Sequence, residues 1–315
     1  MVYNSEAMLL TIVVPLFNEE SVIAETVSRL LVLKEKITEY NCELIFVDDG
    51  STDHSLKILE KEALENSCVK IISFSRNFGH QAAISAGLKK SKGDYVAIID
   101  ADLQDPPEEI PKMIEKLAEG YDIVYGKRKY RKGESKFKLL TASIFYRLFS
   151  IFSNISMPEE TGDFRVINRK VVNAFNDLNE REKFIRGIFA WLGYNSYAYE
   201  YIREKRHSGT TKYPFNKMVN FALNGLVSFS NKPLRIVTRL GFIILFLTVI
   251  MGSITAVLRI FMLVDIPYLT SILLMIAFFG GIQILILGII GEYIAKIYEQ
   301  VKDRPEFVIS KEINL

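Results

Sequence analysis

The feature that most constrains the fold is a pair of long uncharged segments in the last quarter of the chain. Leu240–Leu258 contains no charged residue over 19 positions, and Ile266–Gly291 contains none over 26. A helix of about 20 apolar residues is long enough to cross a bilayer. Helices of soluble proteins normally keep a polar face, so two adjacent uncharged segments of this length predict a transmembrane helical hairpin rather than a buried helix pair.

Basic residues flank this predicted hairpin on one side. They precede the first segment at Lys232, Arg235 and Arg239 and follow the second at Lys296, Lys302 and Arg304. The connecting loop has no such excess, so the positive-inside rule predicts that both termini are cytoplasmic. Residues 1–20 have no basic stretch ahead of an apolar run, and we therefore expect no signal peptide.

The composition argues against several classes of protein. With 49% hydrophobic and 24% charged residues, the chain resembles folded proteins rather than disordered ones. A formal net charge of +2 argues against a nucleic-acid binder that acts through bulk charge. Two cysteines, three histidines and no Cys-x-x-Cys motif argue against a disulfide framework and against a Cys/His zinc site.

Apolar runs of strand length alternate with segments of helical spacing in the first hundred residues. The predicted strands are Leu9–Pro15, Glu43–Val47, Val69–Phe74 and Tyr95–Ile99. The predicted helices between them are Glu20–Lys36, a segment from the cap residue Asp53 to Glu65, and Gln81–Lys89. Such alternation predicts an α/β domain whose parallel sheet is covered on both faces. We expect all its strands and helices to precede Arg235.

Acidic and polar residues follow three of these predicted strands. They are Asn18-Glu19, Asp48-Asp49 and Asp100-Ala101-Asp102. Ligands of parallel α/β sheets bind at the carboxyl ends of the strands, so we expect these residues to line one crevice. The carboxylates of Asp100 and Asp102 can face one point, and hard oxygen ligands suit Mg²⁺ or Mn²⁺ bound to a diphosphate. The pattern therefore predicts a metal-dependent site.

Four motifs carry a resemblance to a known family. They are Val14–Glu19 (VPLFNE), Val47–Asp53 (VDDGSTD), Asp100–Pro107 (DADLQDPP) and Thr161–Arg165 (TGDFR). In this order they resemble the family 2 glycosyltransferases. With the two predicted spans, the chain is similar to the polyprenyl-phosphate glycosyltransferases, the branch that includes dolichol-phosphate mannose synthases and bacterial glucosyl-transferring relatives.

The resemblance implies a fold and a domain order. The expected fold is a GT-A-type, Rossmann-like α/β domain with a mainly parallel sheet, followed by amphipathic interface helices and the two-helix hairpin. The implied segments are a cytoplasmic catalytic domain at 1–213 with an interface helix near 136–153, a second amphipathic helix at 214–234, two spans within 235–295 and a cytoplasmic tail at 296–315. Basic residues beside apolar ones at helical spacing in 127–157 are typical of a helix on anionic lipid.

The resemblance also implies roles for individual positions. The nucleotide sugar would contact Pro15, Asn18, Glu19, Asp49 and Asp100. Mg²⁺ or Mn²⁺ would contact Asp102 and Gln104, and the catalytic carboxylates would be Asp163 and Asp100. The phosphates and the acceptor would contact Arg128, Arg131, Arg165, Arg206 and Lys212, although His207 and Thr211 depart from the family pattern. A phosphomonoester is mostly a dianion at neutral pH, so we expect Asp163 to orient the acceptor rather than to remove a proton.

The implied reaction is inverting transfer of a sugar from a nucleoside diphosphate sugar, with UDP-glucose favoured, to a polyprenyl phosphate, with undecaprenyl phosphate favoured. The product would be a lipid-linked monosaccharide for cell-envelope glycosylation, made at a bacterial inner or plasma membrane by a homo-oligomer, a tetramer by resemblance. Two alternatives remain open: a GDP-mannose-dependent dolichyl- or polyprenyl-phosphate mannosyltransferase, and a non-catalytic, membrane-anchored scaffold that binds a nucleotide. A processive polysaccharide synthase is disfavoured, because the Gln-x-x-Arg-Trp motif is absent. His80 and Trp191 are each compatible with binding and with packing.

Overall fold

The structure of the protein is a computed structural model that describes residues 8–129, 161–180, 183–203 and 268–315, with separate helical residues between 239 and 261. The chain forms two compact units. The first comprises residues 1–146, 155–214 and 304–315, and the second comprises residues 147–154 and 215–303. The first unit therefore includes the predicted α/β domain and also the end of the chain.

Strands and helices alternate in the first unit. Its described strands are β1 (Leu9–Leu16), β2 (Asn41–Asp48), β3 (Val69–Phe74), β4 (Tyr95–Ile98), β5 (Ile123–Arg128), β6 (Thr161–Asn168), β7 (Ser196–Tyr201) and β8 (Ile309–Ile313). Its described helices are α1 (Ile23–Lys36), α2 (Ser55–Glu65), α3 (His80–Lys90), α4 (Ile110–Ala118), α5 (Arg169–Asn176) and α6 (Ile185–Trp191), with a 3₁₀ turn at Pro107–Glu109. The strands and helices predicted from the alternation are confirmed.

The described strands form one sheet in the order β7-β5-β6-β4-β1-β2-β3-β8. The pairs β1–β2, β1–β4, β2–β3 and β5–β7 are parallel, whereas β6 is antiparallel to both of its neighbours and β8 is antiparallel to β3. The sheet is mostly parallel, as predicted. β1 is buried from Leu10 to Leu16, which is typical of a central strand covered on both faces.

Helices cover both faces of this sheet. Successive residues of a strand point to opposite faces. Leu10 and Ile12 belong to the core cluster that includes residues of α1, α2 and α4, whereas Val13 faces α3. A Cβ atom on Gly87 of α3 would overlap Cγ1 of Val13, so a larger residue there would require the helix or the Val13 side chain to shift. α3 therefore packs closely on β1.

The end of the chain completes the sheet. β8 pairs with the outer edge of β3, and Phe307 stacks on Phe74 with ring centroids 5.0 Å apart. The expectation that every strand precedes Arg235 is therefore wrong. The last residues form an edge strand whose sequence, ISKEI, is too short and too polar to predict a strand on its own.

One long helix is described in the second unit, α7 (Tyr268–Val301). Its segment Phe278–Val301 has 24 residues and includes an 18-residue window with a mean hydropathy of 1.8, none of which is buried. This segment is long and apolar enough to cross a membrane. Among the described residues it is the one candidate span, where the sequence predicts two. The helices predicted at 136–153 and 214–234, and most of the first predicted span, lie outside the described residues.

Candidate active site

The register of the sheet brings several predicted site residues to one edge. β1, β2 and β4 are parallel neighbours, so Asp49 after β2 and Asp100 after β4 lie at the same edge. β6 runs the other way and pairs Arg165 with Ile98, the last residue of β4. Asp163, two residues before Arg165, therefore lies beside the segment that follows β4.

Hydrogen bonds connect the loops that follow β1 and β2. Asn18 has a φ of 54°, and its Oδ1 accepts a 2.8 Å hydrogen bond from the N–H of Thr52. The N–H of Asn18 donates to Oγ of Ser51 at 2.9 Å. The N–H of Glu19 donates to Oγ of Ser55 at 2.8 Å. These bonds hold the two predicted nucleoside-binding loops together as one side of the crevice.

Asp49 is buried and holds the loop that precedes α3. Its Oδ1 accepts a 2.6 Å hydrogen bond from the N–H of Phe78, and its Oδ2 accepts a 2.9 Å bond from the N–H of Gly79. Burial raises the pKa of this carboxyl, although both N–H groups act to lower it. Pro15 is buried within β1, opposite Val47. The contacts of Pro15 and Asp49 with a nucleoside stay predictions.

The chain turns sharply after β4. Leu103 has a φ of 56°, and the N–H of Gln104 donates a 3.1 Å hydrogen bond to Oδ1 of Asp102. Both side chains offer oxygen atoms, which Mg²⁺ and Mn²⁺ prefer. No three His, Cys, Asp or Glu side chains among the described residues form a complete metal site. The contact of Asp102 and Gln104 with a metal ion stays a prediction.

Asp163 is the centre of a buried group of charges. Arg186 contacts both of its oxygens: Nε donates to Oδ1 at 2.8 Å, and Nη2 donates to Oδ2 at 3.0 Å. Nε2 of His80 lies 3.3 Å from Oδ2 of Asp163 and 3.5 Å from Oδ1 of Asp100. α3 supplies His80, β6 supplies Asp163 and α6 supplies Arg186. Elements that are distant in the sequence therefore meet at the edge of the sheet.

These charges change one another's ionisation. Burial would raise the pKa of Asp163, but Arg186 and His80 outweigh it and hold this pKa well below its usual range. Burial would lower the pKa of His80, but Asp163 and Asp100 raise it to about 9. Burial raises the pKa of Asp100 to about 6, although His80 acts to lower it. At neutral pH His80 is therefore a cation, and Asp163 is a carboxylate that does not take up a proton.

Arg165 is almost fully buried in this group. Its Nε donates to the carbonyl oxygen of Asp163 at 3.1 Å, and its Nη2 donates to that of Gly162 at 3.0 Å. The guanidinium carbon lies 4.8 Å from the ring centroid of Phe189. Burial lowers the pKa of Arg165 to about 10. Its predicted contact with the acceptor stays a prediction.

A second charged group lies at the ends of β5 and β7. Oδ1 of the buried Asp105 accepts a hydrogen bond from the hydroxyl of Tyr201 and lies 3.4 Å from Nε of Arg203. Burial would lower the pKa of Arg128, but the charge of Asp105 raises it. β5 is antiparallel to β6, so Arg128 at the end of β5 lies at the same edge of the sheet as Asp163 near the start of β6.

Several residues of these groups lie outside the sequence motifs. The sequence motifs do not include Arg186, Arg203 or Tyr201. The one sequence signal for Arg186 is that it is the only charged residue of an apolar helix. His80 lies 3.3 Å from Asp163 in this charged group. Trp191 is 57% exposed, which excludes a place in the core. The predicted phosphate contacts outside the described residues are Arg131, Arg206 and Lys212.

The raised pKa of His80 predicts a pH-dependent stability. His80 faces Asp163, Asp100 and Arg186, and its pKa rises from 6.5 to about 9 on folding. Its stabilising effect is therefore complete below pH 6.5 and is lost as the pH rises through about 9. The melting temperature of the wild type should fall relative to that of His80→Gln over this range. Melting temperatures that change in parallel would contradict the assignment.

Known proteins resemble this chain over most of its length. A sequence profile described as Glycosyl transferase family 2 matches residues 11–175. The chain belongs to this family. It is therefore a glycosyltransferase with a GT-A-like α/β fold, as the motifs predict.

Two relatives match this glycosyltransferase nearly from end to end. The uncharacterized glycosyltransferase YkcC of Bacillus subtilis (strain 168) is 46% identical over 301 residues, which cover 96% of this chain and 93% of the relative. The SfII prophage-derived bactoprenol glucosyl transferase of Shigella flexneri is 38% identical over 311 residues, which cover 96% of this chain and 98% of the relative. The predicted resemblance to the polyprenyl-phosphate branch of family 2 is confirmed.

A solved structure of another glycosyltransferase is also similar. It is the glucosyl-3-phosphoglycerate synthase of Mycobacterium tuberculosis in complex with Mn²⁺, UDP-glucose and phosphoglyceric acid. The TM-score is 0.48 and the identity 18%, over 70% of this chain and 78% of that one.

Proposed function

We propose that this glycosyltransferase transfers glucose from UDP-glucose to undecaprenyl phosphate and inverts the anomeric carbon. The product would be a lipid-linked monosaccharide for cell-envelope glycosylation. The observation that carries this proposal is the 38% identity to a bactoprenol glucosyl transferase, which extends over 96% of this chain. The crevice supports the same chemistry, because it combines carboxylates and cations at the edge where ligands of α/β sheets bind.

The donor would lie across the loops at the carboxyl ends of β1, β2 and β4. Pro15, Asn18, Glu19 and Asp49 would hold the nucleoside, and Asp100 would lie next to the donor sugar. The bonded loops after β1 and β2 support this placement, since they keep Asn18 and Glu19 at fixed positions. A preformed crevice reduces the entropy that a bound nucleotide must lose.

Transfer would occur in one displacement. An oxygen of the acceptor phosphate attacks C1 of the sugar, while the bond between C1 and the diphosphate breaks and its electron pair leaves with UDP. The acceptor has a second pKa of about 6 and is mostly a dianion at neutral pH, so no proton must be removed. Asp163 fits this chemistry, because it is held as a carboxylate by Arg186 and His80. We therefore propose an orienting role for Asp163 rather than that of a base.

Negative charge would grow on the leaving diphosphate, and cations at the crevice would stabilise it. A bound Mg²⁺ or Mn²⁺ would supply further positive charge there, and Asp102 and Gln104 would hold the ion. The proposed phosphate-binding residues are Arg128, Arg131, Arg165, Arg206 and Lys212. The place of Arg128 at the same edge as Asp163 supports this set.

A membrane location would bring the enzyme to its acceptor. The lipid tail gains about 0.8 kcal/mol for each CH₂ group that stays buried in the bilayer. We propose a cytoplasmic catalytic domain made of residues 1–213 and the C-terminal strand β8, interface helices near 136–153 and at 214–234, and two spans within 235–295 that leave both termini in the cytoplasm. The unburied apolar segment Phe278–Val301 supports an anchor in the bacterial inner or plasma membrane. Glycines in this segment, such as Gly280 and Gly288, would allow close helix contacts in a homo-oligomer.

A donor panel tests the reaction. Full-length protein in detergent is incubated with undecaprenyl phosphate and radiolabelled UDP-glucose, UDP-N-acetylglucosamine or GDP-mannose, and label in the lipid fraction is counted. We expect transfer from UDP-glucose. The glucose in UDP-glucose is α-linked, so NMR of the product should show a β linkage.

The other outcomes separate the alternatives. Transfer from GDP-mannose alone would assign a mannosyltransferase. Nucleotide binding without transfer from any donor would favour the scaffold. An α-linked product would contradict a single inverting displacement.

A further inference from the structure

The side chain of Asp163 contacts two cationic side chains that are more exposed to solvent than it is. The side chain of Asp163 is 5% exposed, whereas that of Arg186 is 28% exposed and that of His80 is 32% exposed. We propose that Arg186 and His80, oriented by Asp163, bind one phosphate group of a substrate. This inference rests on the proposed function, which supplies a diphosphate in the donor and a monophosphate in the lipid acceptor.

The contact with Asp163 fixes the orientation of Arg186. Nε and Nη2 of Arg186 donate to the two carboxylate oxygens at 2.8 Å and 3.0 Å, so the guanidinium plane is held along the carboxylate. A guanidinium carries five N–H donors in one plane, and its fork geometry matches phosphate as well as carboxylate. Asp163 is therefore a positioning residue that prepares Arg186 for an anion.

His80 adds a second cation at the same point. Its Nε2 lies 3.3 Å from Oδ2 of Asp163, the oxygen that also accepts from Nη2 of Arg186. His80 is the first residue of α3, and the carboxylate of Asp49 holds the loop just before it. Both cations are thus held by buried carboxylates, which reduces the entropy lost when an anion binds.

Cations surround the carboxylate of Asp163. Nη2 of Arg165 lies 3.7 Å from its Oδ1, and Arg186 and His80 contact the same carboxylate at 2.8 Å and 3.3 Å. Without its cations, a buried carboxylate such as Asp163 would repel a phosphate. The neighbouring cations offset the negative charge of Asp163, so an anion can bind beside it.

Arg169 is a second partly buried arginine, and its described hydrogen bonds go to a carbonyl and a hydroxyl oxygen rather than to a carboxylate. Its Nε donates to the carbonyl oxygen of Gly93 at 2.8 Å, and its Nη2 lies 3.3 Å from Oγ of Ser91. Arg169 follows β6 at the opposite edge of the sheet from Asp163. It is therefore a matched control for the loss of a partly buried arginine.

Binding measurements test the proposal without requiring sugar transfer. Arg186→Gln, Arg186→Lys and Arg169→Gln are made in the full-length protein and purified in detergent. UDP and the short-chain lipid phosphate farnesyl phosphate are titrated separately by calorimetry, and the melting temperature of each variant is measured. A charge-assisted contact accounts for about 10- to 100-fold in affinity, so Arg186→Gln should weaken one of the two ligands by that factor. Arg186→Lys should recover part of the loss, because it restores the charge without the fork.

The two titrations distinguish the two sources of phosphate. Weaker UDP binding with unchanged farnesyl phosphate binding assigns the site to the donor diphosphate, and the reverse assigns it to the acceptor. Arg169→Gln should lower the melting temperature and leave both affinities unchanged.

The proposal would be overturned if Arg186→Gln lowered the melting temperature and left both affinities unchanged. It would also be overturned if Arg186→Gln and Arg169→Gln weakened the ligands equally. A wild type that binds its ligands but transfers no sugar would contradict the proposed function alone.

Discussion

Asp102→Asn should lower the rate of sugar transfer by about 10²–10³-fold, the usual effect of losing one charge-stabilising contact at a reacting group. The fold should survive, because Oδ1 of asparagine can still accept the hydrogen bond that Gln104 donates to Asp102 at 3.1 Å. The carboxylate charge that would hold Mg²⁺ or Mn²⁺ at the diphosphate is lost. The measurement is the initial rate of glucose transfer from UDP-glucose to undecaprenyl phosphate, together with the melting temperature.

Asp94→Asn is the matched control for this change. Asp94 precedes β4, whereas Asp102 follows it, and Oδ2 of Asp94 accepts a 2.9 Å hydrogen bond from the N–H of Leu9. The substitution therefore removes the same charge at the opposite edge of the sheet. We expect a transfer rate close to that of the wild type, and EDTA should abolish transfer in both proteins. If Asp102→Asn and the EDTA-treated wild type both kept the full rate, the metal assignment would be wrong.

Deletion of residues 304–315 should destabilise the α/β unit strongly. The deletion removes β8 from the edge of β3 and the stacking of Phe307 on Phe74. It also removes the hydrogen bonds from Nδ2 of Asn314 to the carbonyl oxygens of Ala63 and Val69, at 2.8 Å and 2.9 Å. At about 1 kcal/mol for each hydrogen bond, the loss is a large fraction of the typical 5–15 kcal/mol that stabilises a domain.

Thermal unfolding of the full chain and of the shortened chain in the same detergent measures this effect. A loss of about 3 kcal/mol corresponds to a fall of about 10 °C in the melting temperature for a domain of this size. Lys311→Ala is the control, since Lys311 is half exposed and pairs with Glu60 at the surface, where ion pairs contribute little. An unchanged melting temperature in the shortened chain would show that β8 is not needed for the stability of the unit.

The first half of the sheet follows directly from the sequence. Strands buried on both faces are rich in apolar residues, and β1 to β4 are mostly apolar and are separated by segments of helical spacing. Parallel strands joined by helices end at one edge, so the positions of Asp49 and Asp100 could also be predicted. The motif that contains Asp163 predicted a role for this residue through the family resemblance. No motif indicated that Arg186 and His80 contact it.

The contacts around Asp163 were decided by tertiary structure alone. Arg186 lies 23 residues away in the sequence and His80 lies 83 away. Local spacing carries no information about such pairs, because they depend on the antiparallel register of β6 beside β4 and on the packing of α3 and α6.

The sequence by itself determined that this chain combines an α/β glycosyltransferase domain with a strongly apolar C-terminal region. Periodicity and motifs are local properties, so they can be recognised in the sequence before the fold is known. The tertiary structure decided which charges surround Asp163 and where the end of the chain lies. Ser310 of β8 donates to the carbonyl oxygen of Ser73 across 237 residues. This pairing requires the unpaired edge of β3, which exists only in the folded sheet. The sequence of a short polar strand does not indicate which strand it will pair with.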